Sequence, residues 1–177
     1  MKRKPNKTNL SAEFVRAALT YEPINGLFRW KRRRDRSKRW NNRYAGTIAG
    51  QISCGYRLIE LDRAAGHGAY RAARLAWLYM TGEWPSDQID HINGQRGDDR
   101  WENLRAADNA QNNSNRGAQS NNKAGVRGVS RWGNRWKVRI RVKGTDYKVG
   151  AFDTIEEAAA AYAEAAVRLH GDFARVE

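Results

Sequence analysis

The most constraining feature of the sequence is a short apolar run that ends in an adjacent carboxylate and imidazole. Asp90 and His91 follow Ile89, and Asn93-Gly94 comes just after them. Successive side chains of a regular strand point to opposite faces, so Asp90 and His91 cannot face one site unless the strand ends or bends there. Asn93-Gly94 permits this, because glycine reaches backbone conformations that other residues avoid. The stretch therefore predicts a short strand that ends at a polar loop.

The segment after the loop offers a further oxygen ligand. Residues 103–105, Asn-Leu-Arg, precede a polar, helix-like segment that carries Asn112, whose side chain can return to face Asp90. A carboxylate oxygen and an amide oxygen form a hard ligand pair, which suits Mg²⁺ or Mn²⁺ better than Zn²⁺. Neighbouring asparagines within about one turn leave the helix ligand open: Asn109, Asn113 and Asn115.

These motifs together resemble the HNH nucleases of the phage and homing-endonuclease type. The resemblance lies in DHxNG, then Asn-Leu-Arg, then an Asn where other members place the last His. It implies a ββα-metal finger (strand, loop, strand, helix) that cleaves DNA with one divalent cation, Mg²⁺ or alternatively Mn²⁺. By position it implies that Asp90 and Asn112 bind the cation. It also implies that His91 is the general base and that Asn103 holds the loop and thereby orients His91.

Two arginines of the same stretch are candidates for holding a neighbouring phosphate. Arg100 lies in the loop and Arg105 follows the Asn-Leu pair. Guanidinium groups bind phosphate well, but either residue can equally be a surface or loop-bracing arginine. Ahead of the motif, residues 74–85 (RLAWLYMTGEWP) also resemble the segment that precedes it in many phage HNH proteins.

The charge of the chain points to a polyanionic partner. The 177 residues carry 33 Lys and Arg against 19 Asp and Glu, a formal net charge of +14. Such an excess favours nucleic acid, because phosphate contacts supply most non-specific affinity. Seven Trp and seven Tyr add groups that can stack on bases. Double-stranded DNA is therefore the expected partner, bound by a monomer or a homodimer.

Cysteine and apolar content exclude several classes of protein. Cys54 is the only cysteine, so one chain can form neither a disulfide framework nor a cysteine zinc site. No apolar run is long enough to span a bilayer, and residues 1–7 lead into no signal-peptide core. We expect a soluble protein of the cytoplasm, in a bacterial host cell.

The first third of the chain predicts a small α+β region. Residues 1–9 are basic and polar, which predicts a disordered arm. Ser11 is placed to cap a helix, a turn is expected at 22–26 and a strand at 27–30. The following run, 31–43, is too basic for a core and is either a solvated loop or a loop that contacts DNA. The apolar positions of the predicted helix share one face: Phe14, Val15, Ala18 and Leu19.

A strand and a helix are expected just before the motif. Alternation over residues 56–61 predicts a strand with Leu58 and Tyr56 facing inward. Residues 70–80 predict a helix that ends near Gly82. The helix is expected to bury three large side chains: Leu75, Leu78 and Tyr79.

The last third of the chain predicts a three-stranded antiparallel sheet and one helix. The runs 125–130, 135–142 and 145–152 alternate between apolar and polar residues and are separated by Gly-containing turns. In the second run one face is apolar and the other carries Lys and Arg at every position. Residues 155–170 predict an alanine-rich helix, capped by Asp153 or Thr154, that packs on the apolar face.

This region resembles the AP2 DNA-binding domain. GVRGV, WxxxIR, GxFDTxEEAAxAYxxAA and HG occur in that family's order. The resemblance implies that the sheet lies in the major groove of DNA. By position it implies that Arg127, Trp132 and Arg141 contact DNA. Arg139, which replaces an acidic residue of the family, is a further DNA-binding candidate, and the family's target sequences therefore do not carry over.

Together these patterns predict an α+β protein with a ββα-metal finger and an AP2-like sheet packed on one helix. The predicted function is a metal-dependent DNA endonuclease. The alternatives are a non-catalytic DNA-binding protein and an RNA-binding accessory protein. The predicted boundaries divide the chain into arm, N-terminal region, nuclease module, linker and DNA-binding domain: 1–9, 10–69, 70–116, 117–124 and 125–177.

Overall fold

A computed structural model describes residues 10–61, 68–119 and 121–175, so the predicted arm at 1–9 lies outside the described residues. The chain divides into two compact units, Met1–Ala106 and Ala107–Glu177. The division falls inside the segment 70–116 that the sequence predicts as one nuclease module. No helix within the described ranges has the length and apolar character needed to cross a bilayer.

The first unit opens with a short helix and a hairpin. Helix α1 spans Ala12–Ala18, and the Ser11 hydroxyl caps it by accepting from the Phe14 amide, as expected for an N-cap serine. Strands β1 (Leu19–Glu22) and β2 (Leu27–Trp30) pair antiparallel. Leu19 therefore begins a strand rather than continuing the helix.

A three-stranded antiparallel sheet and a second helix complete the core of this unit. The strands are β3 (Gln51–Ser53), β4 (Tyr56–Glu60) and β5 (Ala69–Arg71), with β4 in the centre. Helix α3 spans Ala72–Thr81 and ends at Gly82, which adopts the left-handed conformation (φ 85°). The largest fully buried side chains of the core come from α1, β1, β2, β4 and α3: Val15, Leu19, Phe28, Ile59, Leu75 and Leu78.

Two further predictions for this unit are wrong. Residues 38–44 of the basic run form helix α2 (Lys38–Tyr44), which Ser37 caps through the Trp40 amide, so the run is only partly a loop. On β4 the fully buried residue is Ile59, while Tyr56 and Leu58 are half-buried on the opposite face. Alternation alone does not reveal which face of a strand packs on the core.

The motif forms a strand, a loop, a strand and a helix along the chain, in the predicted order. Strand β6 spans Gln88–His91 and pairs with β7, Leu104–Ala107. One 3-10 turn, Trp101–Asn103, lies in the loop between them. Helix α4, Asn109–Ser114, follows and is grouped with the second unit.

The second unit contains a three-stranded antiparallel sheet with one long helix. Its strands are β8 (Val129–Trp132), β9 (Arg135–Val142) and β10 (Thr145–Phe152), with β9 in the centre. Helix α5 spans Ile155–His170. The predicted strand at 125–130 is displaced, because Gly128 is left-handed (φ 71°) and a Cβ there would lie 2.3 Å from the Arg139 carbonyl oxygen.

The core of the second unit lies between sheet and helix. Thr154 caps α5 and Glu157 completes a capping box, which confirms Thr154 rather than Asp153 as the cap. Alanines on the buried face let helix and sheet approach closely. The buried core residues are Val129, Val138, Ile140, Ala158, Tyr162 and Ala166.

Candidate active site

Strand β6 ends where the carboxylate and the imidazole stand side by side. Asp90 and His91 are 4% and 6% exposed. The chain turns directly after His91: the Gly94 amide donates to the His91 carbonyl (2.8 Å), and Gly94 is left-handed (φ 69°). The predicted end of the strand is confirmed, and the two neighbouring side chains reach different partners.

Asp90 pairs with an arginine of the adjacent strand. Arg105 donates from Nε (2.9 Å) and Nη2 (2.8 Å), and both contacts converge on Oδ2 of Asp90. The Arg105 side chain is only 16% exposed. Arg105, one of the candidates for phosphate binding, therefore braces a buried carboxylate between β6 and β7.

His91 pairs with a carboxylate of the loop. His91 Nε2 lies 2.9 Å from Oδ1 of Asp99, which is itself 3% exposed. A carboxylate only accepts hydrogen bonds, so Nε2 carries the proton and, in the neutral ring, Nδ1 carries the lone pair. The pair thus selects one tautomer of His91. Sequence analysis missed Asp99, although the Asp-Asp pair at 98–99 in the motif loop is a visible signal.

The backbone that carries Asp99 is held by the β1–β2 hairpin. Tyr21 donates its hydroxyl to the Asp99 carbonyl (2.7 Å), and burial, with the charges of Asp99 and Asp98, raises the pKa of Tyr21. The hydroxyl therefore stays protonated as a donor. A Cβ on Gly26 would lie 2.4 Å from the Asp99 carbonyl carbon and from the Arg100 amide nitrogen, so the hairpin touches this backbone directly. Nothing in the sequence signals a contact of such long range.

Asn103 ties the two ends of the loop together. Its Oδ1 accepts from the Asn93 amide (3.0 Å), and its Nδ2 donates to Asn93 Oδ1 (3.0 Å) and to the Asp98 carbonyl (2.8 Å). The Ile92 amide donates to the Asn103 carbonyl (2.9 Å). These bonds fix the backbone directly after His91 and directly before Asp99.

An ion pair between two residues of the same loop also stabilises it. Arg100 donates from Nε and Nη2 to the two oxygens of Asp98 (both 2.8 Å), and Asn93 Nδ2 adds a third bond (2.7 Å). The bonds from Arg100, followed by those from Asn93 and the backbone, lower the pKa of Asp98 from 3.8 to about 2. Arg100, the other phosphate candidate, is thus engaged in bracing the loop.

Asn112 lies on α4 and is half-buried. Asp108 caps this helix and Gln111 completes a capping box. Within the second unit the Ser114 hydroxyl lies 3.0 Å from His170 Nδ1, which fastens α4 to the end of α5. Of the alternative helix ligands, Asn109 and Asn113 are exposed and Asn115 is buried at the helix end.

The sheet of the second unit exposes a basic face. Along β9, Val138 and Ile140 are buried while Arg139 and Arg141 are exposed on the other face. Trp132 on β8 is 61% exposed. Arg127 is placed differently from these residues, because its Nη1 donates to the carbonyls of Ser114 and Arg116.

Part of the chain, including the motif, is similar to known proteins. Residues 70–114 match the family model described as HNH endonuclease. This segment is similar to HNH endonucleases. An uncharacterized HNH endonuclease, L560, of Acanthamoeba polyphaga mimivirus is 36% identical over 98 residues, which are 55% of this chain and 51% of that protein. The chain thus spans about half the length of this curated relative. No solved structure matches the chain.

Proposed function

We propose that this protein is a metal-dependent DNA endonuclease of the HNH type. The observation that carries the proposal is the His91–Asp99 pair at the buried end of β6, beside Asp90, within a segment similar to HNH endonucleases. A histidine exposed to solvent rarely has a buried carboxylate bonded to one ring nitrogen. Such a carboxylate fixes the orientation of the ring, so that the other ring nitrogen points in a defined direction.

In the proposed reaction His91 accepts a proton from the attacking water at Nδ1. Asp99 keeps the proton of the neutral ring on Nε2 and holds the plane of the imidazole. Asn103 keeps the loop closed around the pair, and Tyr21 fixes the Asp99 backbone. General-base catalysis of this kind contributes typically about 10²–10⁴-fold in rate, provided that the base is held in position.

The donors of the motif fit a hard divalent cation. We propose Asp90 as its carboxylate ligand and Asn112 as its amide ligand, with Mg²⁺ as the ion and Mn²⁺ as an alternative. Arg105 contacts Oδ2 of Asp90, and the two oxygens of an ionised carboxylate offer about four lone-pair sites, so an arginine and a cation can share one carboxylate. Such a cation supplies charge stabilisation to the phosphate and the leaving oxygen when bound.

We further propose that the exposed face of the second unit gives the enzyme its site preference. Arg139 and Arg141 on β9 and Trp132 on β8 are exposed on the face opposite α5. Arginine reads guanine through two parallel hydrogen bonds, which is the commonest base-specific contact. The resemblance to AP2 domains supports the same assignment for Arg141 and Trp132. Arg127 is left out, because its Nη1 already bonds two backbone carbonyls.

The test is incubation of supercoiled plasmid with the purified protein in Mg²⁺, Mn²⁺ or EDTA. We expect nicked or linear product with either ion and none in EDTA. Intact plasmid in all three, with retention of DNA binding, would favour a non-catalytic DNA-binding protein. Tighter binding to structured RNA than to duplex DNA at the same salt concentration would favour an RNA-binding role.

A further inference from the structure

Tyr56 lies beside the candidate base, on the strand face that points away from the core. Its ring centroid is 6.3 Å from that of His91. In the sheet Leu58 is opposite Arg71, so Tyr56, Leu58 and Arg71 share one face. The Arg71 guanidinium carbon lies 4.0 Å from the centre of the Tyr56 ring, which is the geometry of a cation–π contact.

A second arginine reaches the same ring from the motif loop. The guanidinium carbon of Arg96 lies 5.2 Å from the Tyr56 centroid. The β3–β4 turn packs against this loop: a Cβ on Gly55 would lie 3.6 Å from Arg96 Cδ, and a Cβ on Gly97 would lie 3.3 Å from the Gly55 carbonyl oxygen. The fold thus brings two cations from separate segments to one aromatic ring.

The two guanidiniums differ from three other stacked arginines of this unit. Arg16, Arg33 and Arg74 also lie over aromatic rings, but each donates to a carbonyl or a carboxylate. For Arg71 and Arg96, by contrast, the described part of the chain provides neither a hydrogen-bond acceptor nor a carboxylate partner. Both side chains are exposed.

The charge of Arg71 also acts on a neighbouring arginine. Burial, and then the nearby charge of Arg71, lowers the pKa of Arg74. Two like charges near one ring repel each other, and a bound anion offsets the repulsion. Guanidinium groups offer planar, paired N–H donors that match the oxygens of phosphate.

We propose that Tyr56, Arg71 and Arg96 form a phosphate-binding site for a phosphodiester of the DNA strand next to the bond that His91 attacks. Tyr56 holds the two side chains in position, and Arg71 and Arg96 donate to the phosphate oxygens. The site lies beside His91 in the same unit, so it would position the substrate strand on the base. This inference rests on the proposed nuclease function.

The experiment uses the full chain and duplexes that carry one methylphosphonate at a time around the mapped cut. Each methylphosphonate removes the charge of one phosphate. Wild type should lose several-fold in affinity at one or two positions beside the cut. Arg71→Ala and Arg96→Ala should bind the unmodified duplex as weakly as wild type binds the modified one, with no further loss at those positions. Each should also flatten the salt dependence by about one unit of slope.

Arg168→Ala is the matched control, because Arg168 is an exposed arginine on α5 that belongs to neither the site nor the exposed face of the sheet. It should keep the methylphosphonate sensitivity of wild type. Tyr56→Phe retains the ring and should behave as wild type, whereas Tyr56→Leu should behave as the arginine variants. Arg96→Gln, which keeps much of the side-chain length, should repeat the result of Arg96→Ala.

Two results would overturn the site, and a third would overturn the function on which it rests. Arginine variants that keep the methylphosphonate sensitivity of wild type would show that Arg71 and Arg96 contact no phosphate near the cut. An equal change in Arg168→Ala would show that the change in DNA binding comes from the loss of one positive charge and not from its position. A wild-type protein that leaves DNA intact with Mg²⁺ and Mn²⁺ would instead overturn the nuclease function, and with it the place of this site beside the cut.

Discussion

Nε2 of His91 lies 2.9 Å from Oδ1 of Asp99, and both side chains are almost fully buried. The contact joins the last residue of β6 to a loop residue eight positions later. It determines which ring nitrogen of His91 holds the lone pair, so the consequences of changing Asp99 follow from the chemistry of the imidazole.

Asp99→Asn should lower the cleavage rate roughly 10²–10⁴-fold without weakening DNA binding. An amide can offer its own N–H to Nε2, which favours the tautomer with the proton on Nδ1 and removes the base. Single-turnover rates give the loss, and ¹⁵N chemical shifts of the His91 ring report the tautomer. An unchanged tautomer and rate in Asp99→Asn would remove Asp99 from the mechanism.

Asp98→Asn should cost stability rather than catalysis, because Asp98 bonds Arg100 and Asn93 and not His91. The pKa of Asp98 is lowered to about 2, so its stabilisation is complete above pH 3.8 and is lost as pH falls toward 2. Urea unfolding should show a deficit of roughly 1–2 kcal/mol at pH 7 that shrinks below pH 3.8. A deficit independent of pH would mean that the ionised carboxylate is not its source.

Arg105→Leu should destabilise the protein by on the order of 2–4 kcal/mol, because it leaves the Asp90 carboxylate buried without its guanidinium. A cation bound to Asp90 would replace the lost charge. Thermal unfolding should therefore show a larger rise in Tm with Mn²⁺ for Arg105→Leu than for wild type. An equal rise in both proteins would contradict a cation at Asp90.

Arg127→Ala and Arg141→Ala should fail in different ways. Arg127 braces the carbonyls of Ser114 and Arg116, so its loss should lower the thermal stability of the second unit. Arg141→Ala should leave Tm unchanged and cost ~1–3 kcal/mol of binding to the preferred duplex, with less effect on a scrambled one. An equal loss of affinity for both duplexes would show that the sheet contacts phosphates and does not read bases.

Local patterns predicted much of the fold. The caps at Ser11 and Thr154, the end of α3 at Gly82 and the limits of β9 each depend on residues near in sequence, and all are confirmed. Helix α2 was not expected, because most of its residues are basic or amide side chains, and Trp40 and Tyr44 are too few to mark an apolar stripe in the sequence.

Most of what surrounds His91 could not be predicted in this way. The motif residues Asp90 and Asn103 stand out in the sequence, but Tyr21 meets Asp99 across 78 residues, and hydrogen bonds over such a distance leave no local signal. The position of Tyr56 could not be predicted either, since an aromatic residue in an alternating strand can lie on either face of the sheet. Its position near His91 depends on how the β3–β4 turn packs on the motif loop.

The most direct test of the central claim is single-turnover cleavage of a labelled duplex by wild type and His91→Ala, with Mn²⁺ and with protein in excess over its Kd for DNA. We expect cleavage by wild type and loss of cleavage in His91→Ala, at nearly equal DNA affinity, because most affinity comes from the cationic surface. Cleavage at a near-normal rate by purified His91→Ala would contradict the assignment of His91 as the base, and with it the proposed mechanism.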